Sequence, residues 1–272
     1  MTHTSKFTRQ THRPILLLLL LLAVLGNSVA FAQTVIRQRD VPFVIKRPGS
    51  YVLGSNLVVN NPNVNAILVD ADNVTIDLAG FAIIGPSVGP TGQGSGINTT
   101  VRNNVTVRNG TVRGFFDPAA ACVHLDGHLN NRVENLRVQD CPAVGVYVSP
   151  GGMVIGSQVS NCGGGIHADA GSLVLNNTLF GNAQALRLNW DGIAIIGNNF
   201  RENRIAIDAP TNGHRIEGNT LTNNNVGIDL SLGSGNFFAR NFLKGNTTPI
   251  VGAEDDIDGG TIDPALTNVI VP

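Results

Sequence analysis

The sequence predicts an all-β fold, a single-stranded right-handed parallel β-helix of about eight turns, on three observations. A short pattern recurs six times between Val133 and Asn246 with a period of 20 to 22 residues. Within each unit, apolar and polar residues alternate over about four to six positions, as they do in strands. Asn, Gly, Asp and Pro interrupt these segments, and no stretch after the first thirty residues has a helical period. A fixed period of this length is typical of a repeat architecture.

Two apolar columns run through the six units, the second five residues after the first. The first column is Val133, Val154, Val174, Ile195, Ile216 and Phe238, and the second is Val138, Val159, Leu179, Phe200, Leu221 and Leu243. Stacked strands lie about 4.8 Å apart, so these columns are expected to form rows inside the coil. Each large buried side chain contributes roughly 1.5–3 kcal/mol, which stabilises a turn only where neighbouring turns cover it.

Polar columns accompany the apolar ones. They are Asn177, Asn198, Asn219 and Asn241, and then Cys141, Cys162, Asn182, Asn203, Asn224 and Asn246. Asn suits the corners of a coil, because it accepts the left-handed conformation and its amide bonds to the Asn above and below.

Cys141 and Cys162 stand in equivalent positions, so their Cα atoms are expected near 5 Å apart, within disulfide range. Two interpretations remain open, a disulfide in an exported protein or two reduced thiols in the core. Cys122 is expected to be a buried side chain that fills the core.

Residues Met1 to Ala32 have the organisation of a signal peptide. Three basic residues come first, an apolar stretch from Ile15 to Leu25 follows, and Ala30 and Ala32 supply the small residues of a cleavage site. The apolar stretch is short for a membrane span. We expect cleavage before Gln33 and a secreted, periplasmic or surface protein with no membrane span, and an uncleaved anchor is the alternative.

Composition limits the classes of partner. The full chain has 18 basic and 19 acidic residues, and removal of residues 1–32 takes away three basic ones and no acidic one. The remaining chain is therefore acidic and lacks the basic field that nucleic-acid binding needs, so no nucleic-acid partner is predicted. A hydrophobic content of 42% is sufficient for a core, and no second composition block appears. We expect one domain and a monomer.

The ends of the repeat set the predicted boundaries. Residues 33–60 do not fit the repeat and are predicted to cap the first turn, residues 61–246 to form the coil, and residues 247–272 to form a C-terminal cap or tail. The last segment contains Glu254, Asp255, Asp256 and Asp258. A calcium site and a solvated acidic turn are both open interpretations, although the spacing matches neither an EF-hand loop nor a calcium-binding nonapeptide repeat. No cofactor is predicted.

Three segments carry a family resemblance: PFVIKRPGSYVLGSNL from Pro42, DNVTIDLAGFAIIG from Asp72 and NNVTVRNGTVRGF from Asn103. With them the chain resembles exported bacterial proteins of the right-handed parallel β-helix repeat family, over roughly Val41 to Asn246. The resemblance implies the pectate-lyase-like superfamily, which contains polysaccharide lyases, uronan epimerases, glycoside hydrolases and non-catalytic binding proteins. A shared fold does not choose among them.

One face of the coil carries side chains of the types found in catalytic and binding sites. The inward row of the first sheet is predicted as Ile67, Ile97, Val123, Val146, Ile166, Leu186, Ile207 and Ile228. Side chains alternate across a strand, so the next residues point outward. They are Leu68, Asn98, His124, Tyr147, His167, Arg187, Asp208 and Asp229, and a second outward column is Asp70, Thr100, Asp126, Ser149, Asp169 and Asn189. Such a face suits an extended polysaccharide, because one sugar spans about the 4.8 Å of one turn.

A uronic acid chain offers a specific reaction for these residues. β-Elimination and C5 epimerisation both remove a proton next to a carboxylate, which needs a base of moderate pKa and a group that stabilises the negative charge. His124 or His167 is predicted as the base, Tyr147 as the proton donor and Arg187 as the group that neutralises the carboxylate. The predicted substrate-binding residues are Asp126, Asp169, Asn189, Asp208 and Asp229, and no metal ligand is predicted.

Two alternatives to this reaction stay open. In a glycoside hydrolase, Asp126, Asp169 and Asp208 would supply an acid and a base. In a non-catalytic surface or matrix protein, the same face would only adhere. The sequence lacks the lysine and arginine cluster of pectate lyases, the paired aspartates of polygalacturonases and the Asp-Pro-His-Asp segment of mannuronan epimerases.

Trp190, the only tryptophan, would stack on a sugar if exposed or fill a turn if buried.

Overall fold

The computed structural model describes residues 33–87, 92–117, 121–127 and 129–272, and these form a coil of parallel strands. The predicted signal peptide, residues 1–32, lies outside the described residues. In the described part of the chain, no helix has the length and apolar character needed to cross a bilayer.

The strands are short and are separated by tight corners. The first are β1 (Thr34–Ile36), β2 (Phe43–Ile45), β3 (Gly49–Leu53), β4 (Leu57–Val58), β5 (Ile67–Val69), β6 (Val74–Asp77), β7 (Ala82–Ile84), β8 (Ile97–Thr99) and β9 (Val105–Arg113). The next are β10 (Ala121–Leu125), β11 (Arg132–Gln139), β12 (Val144–Val148), β13 (Met153–Ile155), β14 (Gln158–Ser160), β15 (Gly164–Ala168), β16 (Leu173–Leu175), β17 (Thr178–Phe180), β18 (Gln184–Leu188), β19 (Ala194–Ile196) and β20 (Asn199–Arg201). The last are β21 (Ile205–Asp208), β22 (Arg215–Glu217), β23 (Thr220–Thr222), β24 (Val226–Asp229), β25 (Phe237–Ala239), β26 (Phe242–Lys244), β27 (Thr248–Val251), β28 (Ile257–Asp258) and β29 (Val269–Val271). One short helix, α1 (Gly259–Ile262), and two 3₁₀ turns, Gln38–Asp40 and Pro264–Leu266, complete the elements in the described residues.

The strands form two sheets. Sheet 1 contains ten strands in the order β2-β5-β8-β10-β12-β15-β18-β21-β24-β27, and sheet 2 contains the other nineteen. In the regular region each turn gives one strand to sheet 1 and two to sheet 2, and a residue with positive φ, such as Asn176 or Gly197, makes the corner between those two. Ten stacked strands in sheet 1 define nine turns in the described residues, close to the eight predicted.

The predicted inward rows are confirmed. Ile166 pairs with Leu186, Leu186 with Ile207 and Ile207 with Ile228, and all four are fully buried. Both apolar columns of the repeat are likewise in register through sheet 2. The core is therefore a set of aliphatic rows that continue from turn to turn.

The asparagine columns are hydrogen-bonded ladders, as predicted, but the left-handed conformation expected of them is wrong, because positive φ is found at the residue before each Asn, such as Asn176 or Gly197. Oδ1 of Asn198 accepts from the backbone N–H of Asn177 at 2.8 Å and from its side-chain amide at 3.0 Å. Nδ2 of Asn198 donates to Oδ1 of Asn219 at 3.0 Å and to the carbonyl of Val174 at 2.9 Å. The second ladder, through Asn203, has the same pattern. Each amide thus satisfies buried backbone groups of neighbouring turns, which would otherwise be costly.

The disulfide pairs Cys122 with Cys141, so the predicted Cys141–Cys162 bond is wrong, the reduced-thiol interpretation holds only for Cys162, and Cys122 is buried but not a free thiol. Cys141 follows β11 at a corner, and its side chain reaches back to β10 of the preceding turn, where Cys122 lies. Cys162 has the same relation to Gly145, since a Cβ added there would lie 3.2 Å from its Sγ. Because Gly145 offers no thiol, Cys162 remains free and buried.

Both terminal segments add strands to the coil. β2, β3 and β4 pair with β5, β6 and β7, and β27, β28 and β29 pair with β24, β25 and β26. The ordered stack thus extends one turn beyond the regular sequence repeat at its C-terminal end. In the acidic segment, Oδ1 of Asp256 accepts from the backbone N–H of Asn236 at 2.7 Å, and Oδ1 of Asp258 accepts from Gly260 and Asn268.

Candidate functional site

The outward column of sheet 1 brings six predicted site residues together. Register pairs His124 with Tyr147, Tyr147 with His167 and His167 with Arg187. Arg187 then pairs with Asp208, and Asp208 pairs with Asp229 on the next turn. These side chains stand one above another because the residues on either side of each, such as Ile166 and Ala168 beside His167, are fully buried in the core.

Tyr147 is the centre of the best-ordered part of this column. Its ring is stacked on that of His124, with centroids 4.6 Å apart and planes 14° apart. Its hydroxyl donates to Oδ2 of Asp169 at 2.5 Å, and Oδ1 of Asp169 accepts from Nδ2 of Asn189 at 3.0 Å. Burial raises the pKa of Tyr147, and the carboxylate of Asp169 raises it further, so the phenol keeps its proton.

His167 is held against the backbone of its own strand. A Cβ added at Gly164 would lie 2.6 Å from Nε2 of His167, so only glycine leaves room for this ring position. Burial, together with the nearby Arg187 guanidinium, lowers the pKa of His167 to about 4. The imidazole is therefore neutral at neutral pH. Gly164 was missed by the sequence analysis, where a glycine within a strand pattern was the available indication of a close contact.

The two histidines share an unusual feature, a buried ring nitrogen without a partner. It is Nδ1 in His124 and Nε2 in His167. Burial lowers the pKa of His124 as well, although the charges of Asp126, Asp117 and Asp169 oppose this effect. A neutral imidazole is the form that a general base requires, but these nitrogens are buried and reach a substrate only when the rings turn outward.

Arg187 is already paired. Its Nη1 lies 2.9 Å from Oδ2 of Asp208, and Nε2 of Gln184 donates to the same oxygen. Burial raises the pKa of Asp208, Asp229 adds to this effect, and Arg187 opposes it. Oδ1 of Asp229 accepts from the hydroxyl of Ser231 at 2.6 Å. The positive charge available to an incoming carboxylate is therefore smaller than the sequence suggested.

The second outward column is less regular than predicted. Asp126 is half-buried beside the histidine column, whereas Asp169 is only 6% exposed and Ser149 is fully buried. The outward prediction for Ser149 is therefore wrong. Its position lies at the corner beyond β12, where the chain turns inward and Oγ accepts from Nδ2 of Asn131 at 3.4 Å.

Trp190 is exposed at the edge of this face. It is 63% accessible and directly follows Asn189, which bonds to Asp169. Of the two interpretations of Trp190, the exposed one is confirmed.

In the described residues, no group of three or more His, Cys, Asp or Glu side chains is arranged to hold a metal ion.

A comparison with protein families agrees with this fold. The family model for the right handed beta helix region matches residues 90–243. Among solved structures, the enzymatically active domain of tailspike protein 2 of bacteriophage CBA120 is similar, with 11% sequence identity and a TM-score of 0.30. That match covers 88% of this chain and 42% of the tailspike chain, and a likeness of this size carries no functional information. No curated protein sequence matches the chain. Because the family match covers more than half of the sequence, the chain belongs to the right-handed β-helix family.

Proposed function

We propose that this protein binds an extended polysaccharide along the outer face of sheet 1. The observation that carries the proposal is the continuous column from His124 to Asp229, with one chemically active side chain on each turn. Turns repeat at about 4.8 Å, close to the length of one sugar unit. Exposed Trp190 gives the face an aromatic edge on which a sugar ring can stack.

The chemistry that fits this column is removal of the C5 proton of a uronic acid, as in a lyase or a C5-epimerase. His167 takes the proton once its buried ring nitrogen has turned toward the sugar, because its imidazole is neutral, although its pKa of about 4 makes it a weaker base than an ordinary histidine. In elimination, the electron pair left on C5 forms a double bond to C4 as the C4–O bond breaks, and the leaving oxygen takes a proton from Tyr147. In epimerisation, Tyr147 gives its proton to the other face of C5.

Tyr147 acts as donor only after its hydroxyl leaves Asp169. In the free protein the phenol proton points to that carboxylate. A substrate oxygen that takes the place of Asp169 as acceptor would receive the proton instead. Asn189 remains as the second partner of Asp169 and keeps the carboxylate in place.

A non-catalytic adhesion role is the second candidate, and one contact favours it. Arg187 is neutralised by Asp208 before any substrate binds, so a uronate carboxylate must compete for the guanidinium. A face that only binds sugars has no need of a free charge at this position.

A glycan screen separates these possibilities. Uronans and neutral glycans are incubated with the protein, and binding, ultraviolet absorbance of unsaturated products, reducing ends and deuterium uptake at C5 are measured. We expect a uronan to bind and to give unsaturated product or deuterium uptake, both lost in His167→Ala and kept in Thr222→Ala, an outward control on sheet 2. Binding without product would support adhesion, and full activity in His167→Ala would remove the assigned base. No binding by any glycan would overturn the proposal.

A further inference from the structure

A cleft on sheet 2 has a chemistry unlike that of the histidine column. Its volume is about 630 Å³, and its lining includes Asn135, Arg137, Gln158, Thr178, Phe180 and Arg201. These residues lie on β11, β14, β17 and β20, with Asn135 at the bend inside β11. Register places Arg137 beside Gln158, Gln158 beside Thr178, and Phe180 beside Arg201. The cleft therefore runs along the axis of the coil.

The cleft is positively charged although the chain outside residues 1–32 is acidic. Two arginines line it, and none of its described lining residues is an Asp or a Glu, but Arg201 is paired with Glu202 just outside the lining, so the unpaired charge is that of Arg137. Arg137 is exposed and makes no ion pair or hydrogen bond within the described residues. It is therefore a charge available to a ligand.

Arg201 is held in position before any ligand binds. Its guanidinium lies 4.1 Å from the centroid of the Phe180 ring, and its Nη1 lies 3.3 Å from Oε2 of Glu202. Stacking of this kind fixes the plane of the guanidinium and leaves its other edge free to donate. An ordered arginine loses less side-chain entropy on binding an anion than a free one.

We propose that this cleft binds an acidic oligosaccharide through Arg137 and Arg201. The two arginines are three turns apart, about 14 Å along the axis, which matches a segment of about three sugars carrying carboxylates or sulfates at its ends. Gln158 and Thr178 on the turns between them, and Asn135 beside Arg137, supply amides and a hydroxyl for sugar hydroxyls. The site lies on a different sheet from the histidine column, so it does not depend on the function proposed for sheet 1.

Calorimetric titration with a galacturonate hexamer tests the site. The variants Arg137→Gln, Arg201→Gln and their combination are compared with Lys244→Gln, which removes an exposed charge from the Arg201 column two turns further on. We expect each arginine change to weaken binding at this site about tenfold, equivalent to about 1.4 kcal/mol, and Lys244→Gln to have little effect. The fully methyl-esterified hexamer, which has the same length without charge, should bind this site poorly.

Two further comparisons distinguish the cleft from sheet 1 and from a general anion site. His167→Ala combined with Trp190→Ala alters sheet 1 and should leave the sheet 2 affinity unchanged. Unaltered binding in Arg137→Gln/Arg201→Gln with an unchanged melting temperature would overturn the proposal. So would displacement of the hexamer by inorganic phosphate at equal concentration, because the cleft would then bind anions without regard to the sugar.

Discussion

The hydroxyl of Tyr147 donates a hydrogen bond to Asp169, a carboxylate that is almost fully buried, and this bond joins two successive turns of the coil. Tyr147→Phe removes the donor and leaves Oδ2 of Asp169 without a partner. We expect a loss of about 1–3 kcal/mol in the free energy of unfolding, measured in urea. Asp169→Asn and the double variant complete a double-mutant cycle, and strictly additive losses would show that the two groups are not coupled.

His167 should make stability depend on pH. Its pKa is lowered to about 4 in the folded chain, whereas an unfolded histidine titrates near 6.5. The unfolded chain therefore binds more protons between these values, so stability is complete above pH 6.5, falls as pH is lowered, and levels off for this group below pH 4. We expect wild type to lose about 1–2 kcal/mol more than His167→Gln across this window, after allowance for solvent screening of a partly exposed ring. Parallel profiles for the two proteins would contradict the assignment.

The sequence predicts well which residues stack on one another in successive turns, because turns of nearly equal length keep equivalent residues in register. The inward row through Ile166 and the outward column through His167 both follow from the period of 20 to 22 residues. Contacts between different columns are not encoded in that period. Cys141 reaches a strand of the preceding turn, and His167 folds over Gly164, so neither contact could be found by comparing equivalent positions.

The sequence period also predicts part of the cleft on sheet 2. Phe180 and Arg201 are 21 residues apart and occupy successive positions in one outward column. Their neighbours in that column are polar residues typical of an exposed sheet, which gave no reason to single them out. Arg137 stands in the adjacent column, so the cluster appears only when the two columns and the intervening turns are placed together.

The disulfide gives a direct chemical test of the chain path. We expect proteolysis under non-reducing conditions to give a fragment that links Cys122 to Cys141, with Cys162 free. The bond closes a loop of moderate length, with a sequence separation of 19, so its loss in Cys122→Ala/Cys141→Ala should cost about 3 kcal/mol. Cys162→Ala is the matched control and should leave the linked fragment intact. A fragment that links Cys141 to Cys162 would contradict the structure.

The asparagine ladder predicts a sharp contrast between neighbouring residues. Asn198 is buried and accepts two hydrogen bonds from Asn177, whereas Asn199 is exposed on the same corner. Asn198→Ala leaves a buried backbone N–H unsatisfied and should cost about 3 kcal/mol or more. Asn199→Ala should change stability by less than about 0.5 kcal/mol. Equal losses, measured by chemical denaturation, would show that the ladder is not a specific support of the fold.

Trp190 should report on occupation of sheet 1 alone. It is the only tryptophan, it is 63% exposed, and it adjoins the Asn189–Asp169–Tyr147 contacts. A sugar stacked on its ring would exclude water, so we expect emission at shorter wavelength and weaker acrylamide quenching when an oligosaccharide binds this face. Arg137→Gln/Arg201→Gln should keep the full emission change, because those residues lie on sheet 2. A calorimetric binding signal that persists in this variant while Trp190 emission stays constant would place the bound sugar away from the edge of sheet 1.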